Sequence, residues 1–80
     1  MTHIGEDISV IASFDRIYKI RPLKFKWSGR LFHIREVTYT WLIKVGQKNI
    51  YHFSVTDGAS LYEISFDTTS LIWKLENIDT

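Results

Sequence analysis

Between Pro22 and Ile34 the chain alternates large apolar with basic residues on either side of Ser28-Gly29. Successive side chains of a strand point to opposite faces. A two-residue turn at Ser28-Gly29 therefore sets Trp27 opposite Arg30, Phe25 opposite Phe32 and Leu23 opposite Ile34, all on one face. Lys24, Lys26, Leu31, His33 and Arg35 take the other face. Elsewhere β-branched and aromatic residues dominate every apolar run, and none shows a 3.6-residue period. Strand is the reading throughout.

A first strand runs from Ile8 to Phe14, with Ile8, Val10, Ala12 and Phe14 on one face. A second spans Tyr18 to Trp27, with Pro22 at an edge position or a bend. A third begins at Arg30 and extends as far as Val45. Within it Phe32 and Ile34 hold even positions, while Val37, Tyr39, Trp41, Ile43 and Val45 hold odd ones. A one-residue slip reverses the faces of a strand, so a bulge near Arg35-Glu36 is expected, bending the strand and curling the sheet. After a turn at Gly46-Gln47-Lys48-Asn49, a fourth strand from Ile50 to Thr56 points Tyr51, Phe53 and Val55 inward. A hairpin turn at Asp57-Gly58 then sets Tyr51 opposite Ile64 and Phe53 opposite Tyr62. A loop at Asp67-Thr68-Thr69-Ser70 sets Phe66 opposite Leu71, Ile64 opposite Trp73 and Tyr62 opposite Leu75. These turns agree on one inward pattern. The predicted fold is all-β, about six antiparallel strands in a meander, curled into a small barrel or half-open roll.

Eighty residues make a single domain, 1–80, in which 1–6 read as a flexible tail and 77–80 as a frayed end. A chain this short buries only roughly 60% of its unfolded surface. The three Trp, four Tyr and five Phe supply the core material that compensates. With no cysteine, disulfides and cysteine-based zinc sites are excluded. Together with an N-terminus lacking a signal-peptide pattern, this predicts a cytoplasmic protein. No apolar run approaches the ~20 residues of a membrane helix, so no membrane partner is expected.

The run from Pro22 to Ile34, then Phe53-Ser54-Val55-Thr56-Asp57-Gly58, Tyr62-Glu63-Ile64 and Trp73, resembles a group of small bacterial proteins of unknown function. Their pattern is Pro-x-x-Phe-x-Trp-x-Gly-Arg-x-aromatic-x-aliphatic, followed by an Asp-Gly hairpin and a late Trp. The similarity covers residues 20 to 75. It implies a small cytoplasmic β-domain and brings no catalytic residues to carry over.

Net charge is only +1, but charge is unevenly placed. Arg16, Lys19, Arg21, Lys24, Lys26, Arg30 and Arg35 follow one another with no acid between them. From Gly46 onward Asp57, Glu63, Asp67, Glu76 and Asp79 outweigh Lys48 and Lys74. A solvated face ordinarily mixes signs. The expected function is therefore a non-catalytic binding module. It would contact nucleic acid or another polyanion through Lys19, Arg21, Lys24, Lys26, Trp27, Arg30, His33 and Arg35. The bland reading of the same run is an ordinary solvated outer face. The alternative function is a protein-interaction or homodimer module. It would use the outward apolar residues Ile50, Leu61 and Ile72, with Ser65 between Ile50 and Ile72, or an open sheet edge. His3, His33 and His52 lack metal-ligand spacing, and His52 is expected opposite Glu63. There is no phosphate loop or nucleophile motif. No enzyme activity, metal or cofactor is expected.

Overall fold

The computed structural model describes residues 2–16 and 19–79. Met1, Tyr18 and Thr80, read above as tail, strand start and frayed end, lie outside the described residues. The strands are β1 (Thr2–Asp15), β2 (Lys19–Trp27), β3 (Arg30–His33), β4 (Glu36–Val45), β5 (Lys48–Thr56), β6 (Leu61–Asp67) and β7 (Trp73–Asp79). They form one antiparallel sheet in the order β3-β2-β1-β7-β6-β5-β4. Consecutive strands pair, except β3 and β4, which are the two edges. The sheet curls without closing into a barrel. Among the described residues no helix is long and apolar enough to cross a membrane.

The expected third strand is split at Ile34-Arg35. Ile34 N–H donates to Leu23 O at 2.9 Å, continuing the pairing with β2, while Arg35 N–H donates to Thr56 O at 2.8 Å, starting the pairing with β5. The chain changes partners there. The expected bulge near Arg35-Glu36 is therefore a strand break, with β3 and β4 on opposite edges. Across it the phase does change, since Phe32, Ile34 and Val37 all pack against the core. A second irregularity has no counterpart in the sequence reading. Thr38 is bulged between Val37 and Tyr39, and its Oγ1 donates to Ser54 O at 3.0 Å. The bulge turns Tyr39, Trp41, Ile43 and Val45 to the outer face, against the inward expectation.

The core lies on the inner face. Phe25, Phe53, Val55, Ile64 and Leu75 are essentially fully buried, with Tyr62, Phe66 and Trp73 nearly so. Full burial of such a side chain contributes about 1.5–3 kcal/mol. Trp73 meets Phe66 at 4.6 Å and Phe53 at 5.7 Å between ring centroids.

Several expected registers move by two residues and keep their faces. Phe53 faces Ile64 rather than Tyr62, and Tyr51 faces Phe66 rather than Ile64. Ile64 faces Leu75, and Phe66 faces Trp73 rather than Leu71, which is 69% exposed. Both loops are longer than read because an aspartate organises each. Asp57 Oδ1 accepts N–H bonds from Ala59 and Ser60, each at 2.9 Å. Asp67 Oδ1 accepts from Thr69 at 2.8 Å and Ser70 at 3.3 Å. Side-chain capping of this kind favours a wider loop over a two-residue turn.

β1 is longer than expected. Residues 2–6, read as a tail, are strand, with Thr2 opposite Ile78 and His3 opposite Asn77. Gly5, at φ 69°, sits in the bulge between His3 and Glu6, where a left-handed backbone favours glycine. Residues 77–79 pair with β6 in the same sheet. In β2 a bulge at Leu23 buries Pro22 and leaves Leu23 exposed, reversing their expected roles. Phe14, expected inward, is 62% exposed and touches Phe66 edge-on at 6.1 Å.

Candidate interaction surfaces

The basic hairpin forms in the expected register, with Trp27 opposite Arg30 and Phe25 opposite Phe32. Ser28 and Gly29 both have positive φ, 53° and 76°, as a type I′ turn requires. The candidate anion-binding residues nevertheless disperse. Lys24, Lys26 and His33 share an outer face with Leu31 and with Ser9 and Ile11 of β1. Ile11 and Leu31, both more than half exposed, stand among these cations, and a shallow hollow of about 200 Å³ lies between. At the turn end Glu6 and Asp7 line a hollow together with Lys26, bringing negative charge to that end of the face.

The other candidates point elsewhere. Trp27 faces inward, half-buried, and its Nε1 has no hydrogen-bond partner. Arg30 sits over the Phe32 ring, 5.3 Å from its centroid, so the ring beneath it belongs to the residue two along and not to its cross-strand neighbour. Arg35 lies against the Asp57 loop, so close that a Cβ on Gly58 would come within 2.6 Å of its Nη1. Lys19 is opposite Asp15 in the ladder. Arg21 lines a hollow of about 360 Å³ with Ile20, Val37 and Thr40. That hollow is the open seam between β2 and β4, where a barrel would have closed.

The outer face of β4 to β7 is built differently. Tyr39 is 66% exposed, Val45 55% and Ile43 41%; Leu42, on the opposite face of the strand, is 43% exposed. Trp41 is half-buried and stacks on His52 at 5.4 Å and 16°. Tyr39 leans on Trp41 at 5.7 Å. Ile43 is opposite Ile50. Ser65 lies between His52 and Lys74 and not, as expected, between Ile50 and Ile72, because the register moves by two residues. Ile50 is opposite Asp67, whose N–H bonds to Ile72 O, and both isoleucines line a groove of about 360 Å³. Leu61 does not join them. It lies exposed at the far end of β6, opposite Thr56.

A polar layer runs along this face beside the apolar one. His52 Nδ1 and Glu63 Oε2 are 3.2 Å apart, although in the ladder His52 faces Ser65. Asn77 Nδ2 donates to Glu63 Oε1 at 3.1 Å, and Ser65 Oγ donates to Glu76 Oε2 at 2.9 Å. Lys48 and Asp67 form a 3.7 Å ion pair at the groove's end. These bonds pair several polar side chains of the face with one another, beside its exposed aliphatic and aromatic side chains. Among the described residues no group of three or more His, Asp and Glu side chains is placed to hold a metal ion.

Sequence reading missed Tyr39, Trp41, Ile43 and Val45 as surface residues. One signal was present: Trp41-Leu42-Ile43 is apolar at three successive positions, so whichever face packs inward, an apolar side chain must point outward.

A scan against protein-family models, a search of curated proteins and a search of solved structures each found no match.

Proposed function

We propose that this chain is a non-catalytic interaction module of the cytoplasm that takes an extended protein segment on the open edge of β4. One observation carries the reading. β4 is a ten-residue edge strand to whose outer side no strand among the described residues is hydrogen-bonded, and from Tyr39 to Ile43 it carries no charge. An edge of this kind is a template for strand addition, in which main-chain bonds give affinity and alternate side chains give selectivity. The exposed Tyr39, Ile43 and Val45 and the neighbouring Ile50–Ile72 groove supply those side-chain contacts. The test is a photo-reactive benzoylphenylalanine at Tyr39, compared with one at Leu31 on the basic face. Adducts to polypeptide at Tyr39 support the reading. Adducts to nucleic acid at Leu31, with none at Tyr39, overturn it.

A second reading, contact with nucleic acid or another polyanion, is favoured by the shared outer face of Lys24, Lys26 and His33. Its mark is binding to single-stranded DNA, RNA or duplex that falls steeply with salt. Each lost phosphate contact then reduces the log–log slope by about one unit.

A further inference from the structure

We propose that the segment taken up on the β4 edge is β4 of a second copy of this chain, antiparallel across a two-fold axis at Leu42; this rests on the reading of that edge as the interaction surface. The strand is self-complementary from Tyr39 to Val45. Its outer face carries an aromatic pair, Tyr39 and Trp41, followed by a β-branched pair, Ile43 and Val45. Antiparallel pairing about Leu42 sets Tyr39 against Val45 of the second copy and Trp41 against Ile43 of the second copy, twice over. Aromatic with β-branched residues is among the favourable cross-strand combinations. A two-fold axis is also the commonest way for a chain to meet its own copy.

The backbone allows this register. The turn is Gly46-Gln47, two residues and not the expected four, because Lys48 and Asn49 already pair with β4. Val45 and Lys48 flank it, so Val45 bonds inward to β5. Alternate residues of an antiparallel strand direct their N–H and C=O groups to opposite sides. Thr40, Leu42 and Lys44 therefore face the open edge. Leu42 exchanges both bonds with Leu42 of the second copy, and Thr40 with Lys44 of the second copy.

Charge and area set the strength. With a net charge of +1 the chain has little long-range repulsion for its copy. The one charged side chain brought in, Lys44 of the second copy, lands beside Thr40 at the seam that Arg21 lines, a like-sign approach that weakens the pair. The exposed apolar surface on Tyr39, Leu42, Ile43 and Val45 is of the order of a few hundred Å² per copy. A standard stable interface needs about 800 Å² per partner. The dimer is accordingly weak, with Kd roughly between 10 µM and 1 mM.

The chain has no cysteine, so single cysteines can map the axis. Leu42→Cys would place two thiols across a pair whose Cα atoms are about 5.5 Å apart, within disulfide range. Under mild oxidation it should form a covalent dimer at least about tenfold faster than Leu71→Cys or Leu31→Cys, which are at least as exposed but off the axis. Sedimentation velocity of the wild-type chain should show a concentration-dependent dimer, tightened several-fold by Lys44→Glu. A wild-type monomer at every concentration, with Leu42→Cys no faster than Leu71→Cys, overturns the inference. So does a dimer that crosslinks best through Leu31→Cys. If the chain is monomeric but benzoylphenylalanine at Tyr39 still captures another polypeptide, the second copy is wrong and the open-edge reading stands. If Tyr39 captures nothing either, both fall.

Discussion

β3 and β4 follow one another in the chain and form the two edges of the same sheet. β3 is four residues long, carries Arg30 and His33, and lays Phe32 flat on the fully buried Phe25 at 5.1 Å. Phe32 also meets Trp27 at 6.2 Å and Tyr62 at 5.6 Å. β4 is ten residues long, and none of them is buried. A short edge bearing charge resists the addition of another strand, and a long apolar one invites it. The two edges therefore differ in what they cost to disturb. Changes under β3 should cost stability, and changes on β4 should cost association.

The largest effect tests that division with matched substitutions. Phe25→Ala, and likewise Trp73→Ala, should lose about 3–5 kcal/mol in equilibrium denaturation, as large core truncations do. That is a large part of the roughly 5–15 kcal/mol of a typical domain. Trp41→Ala, measured at low protein concentration, should lose less than about 1 kcal/mol. Equal losses for Trp73 and Trp41 would erase the distinction between core and edge.

Proline sharpens it next. Trp41→Pro removes an N–H that bonds to β5 and should cost about 3 kcal/mol or more, whereas Thr40→Pro faces the open side and should cost less than about 1 kcal/mol. Thr40→Pro should at the same time abolish the dimer seen by sedimentation. If the two prolines exchange effects, the edge points the other way.

A pH series probes the loop beneath the junction of the two edges. The Ser60 and then the Ala59 N–H hold the Asp57 carboxyl below its ordinary 3.8. Tyr62 Oη also donates to Asp57 Oδ2 at 3.0 Å. A depressed folded pKa stabilises the fold fully above the unfolded value. That contribution is lost as pH falls from 3.8 through the lower folded value. Asp57→Asn keeps an amide oxygen for Ser60 and Ala59 but loses the charge. Its stability should therefore fall less steeply over the same acidic window. A slope identical to wild type would show that Asp57 contributes nothing there. Asp67, lowered first by the Thr69 N–H, should retain its own acid dependence in that variant. Tyr62 acts at the other end of the scale. Burial, and then its bond to Asp57, raise its pKa above 10.0, so its contribution should fade as pH rises through that higher value.

The smallest effect belongs to the basic face. Lys24→Glu and Lys26→Glu should each change stability by no more than about 0.5 kcal/mol in urea, because neither is buried. A larger loss for either would mean that the outer side of β2 is structurally committed and not available to a ligand.

Much of this fold was legible residue by residue. The hairpin at Ser28-Gly29 was readable from Lys24 to His33 because a two-residue turn leaves one register for its strands; the bulge that turns Leu23 outward was not. A break in phase near Arg35 was readable because Ile34 and Val37 could not otherwise both reach the core, but it was read as a bulge inside one strand and not as a change of partner that sends β4 to the far edge. The loops after Asp57 and Asp67 were each read two residues short. Nothing in Asp-Gly or Asp-Thr says whether the carboxylate will bond its own following N–H groups, and here both do. The candidate anion site was only partly legible. Alternation does group Lys24, Lys26 and His33, but Arg30, Arg35, Arg21 and Lys19 are directed by what their neighbours offer: the Phe32 ring, Gly58, the seam and Asp15.

By itself the sequence determined that the chain is β, where most turns lie, and which aromatic and aliphatic residues of the later strands share a face. Those follow from a two-residue period and from backbone preferences that act over a few residues. Which edge stays open was decided only in three dimensions. Val37, Tyr39, Trp41, Ile43 and Val45 alternate as regularly as any core strand. One bulged residue, Thr38, held to Ser54, turns four of them outward, and among the described residues no strand pairs with the outer edge of β4. Burial is a property of what packs against a face, and that partner is set by the path of the whole chain.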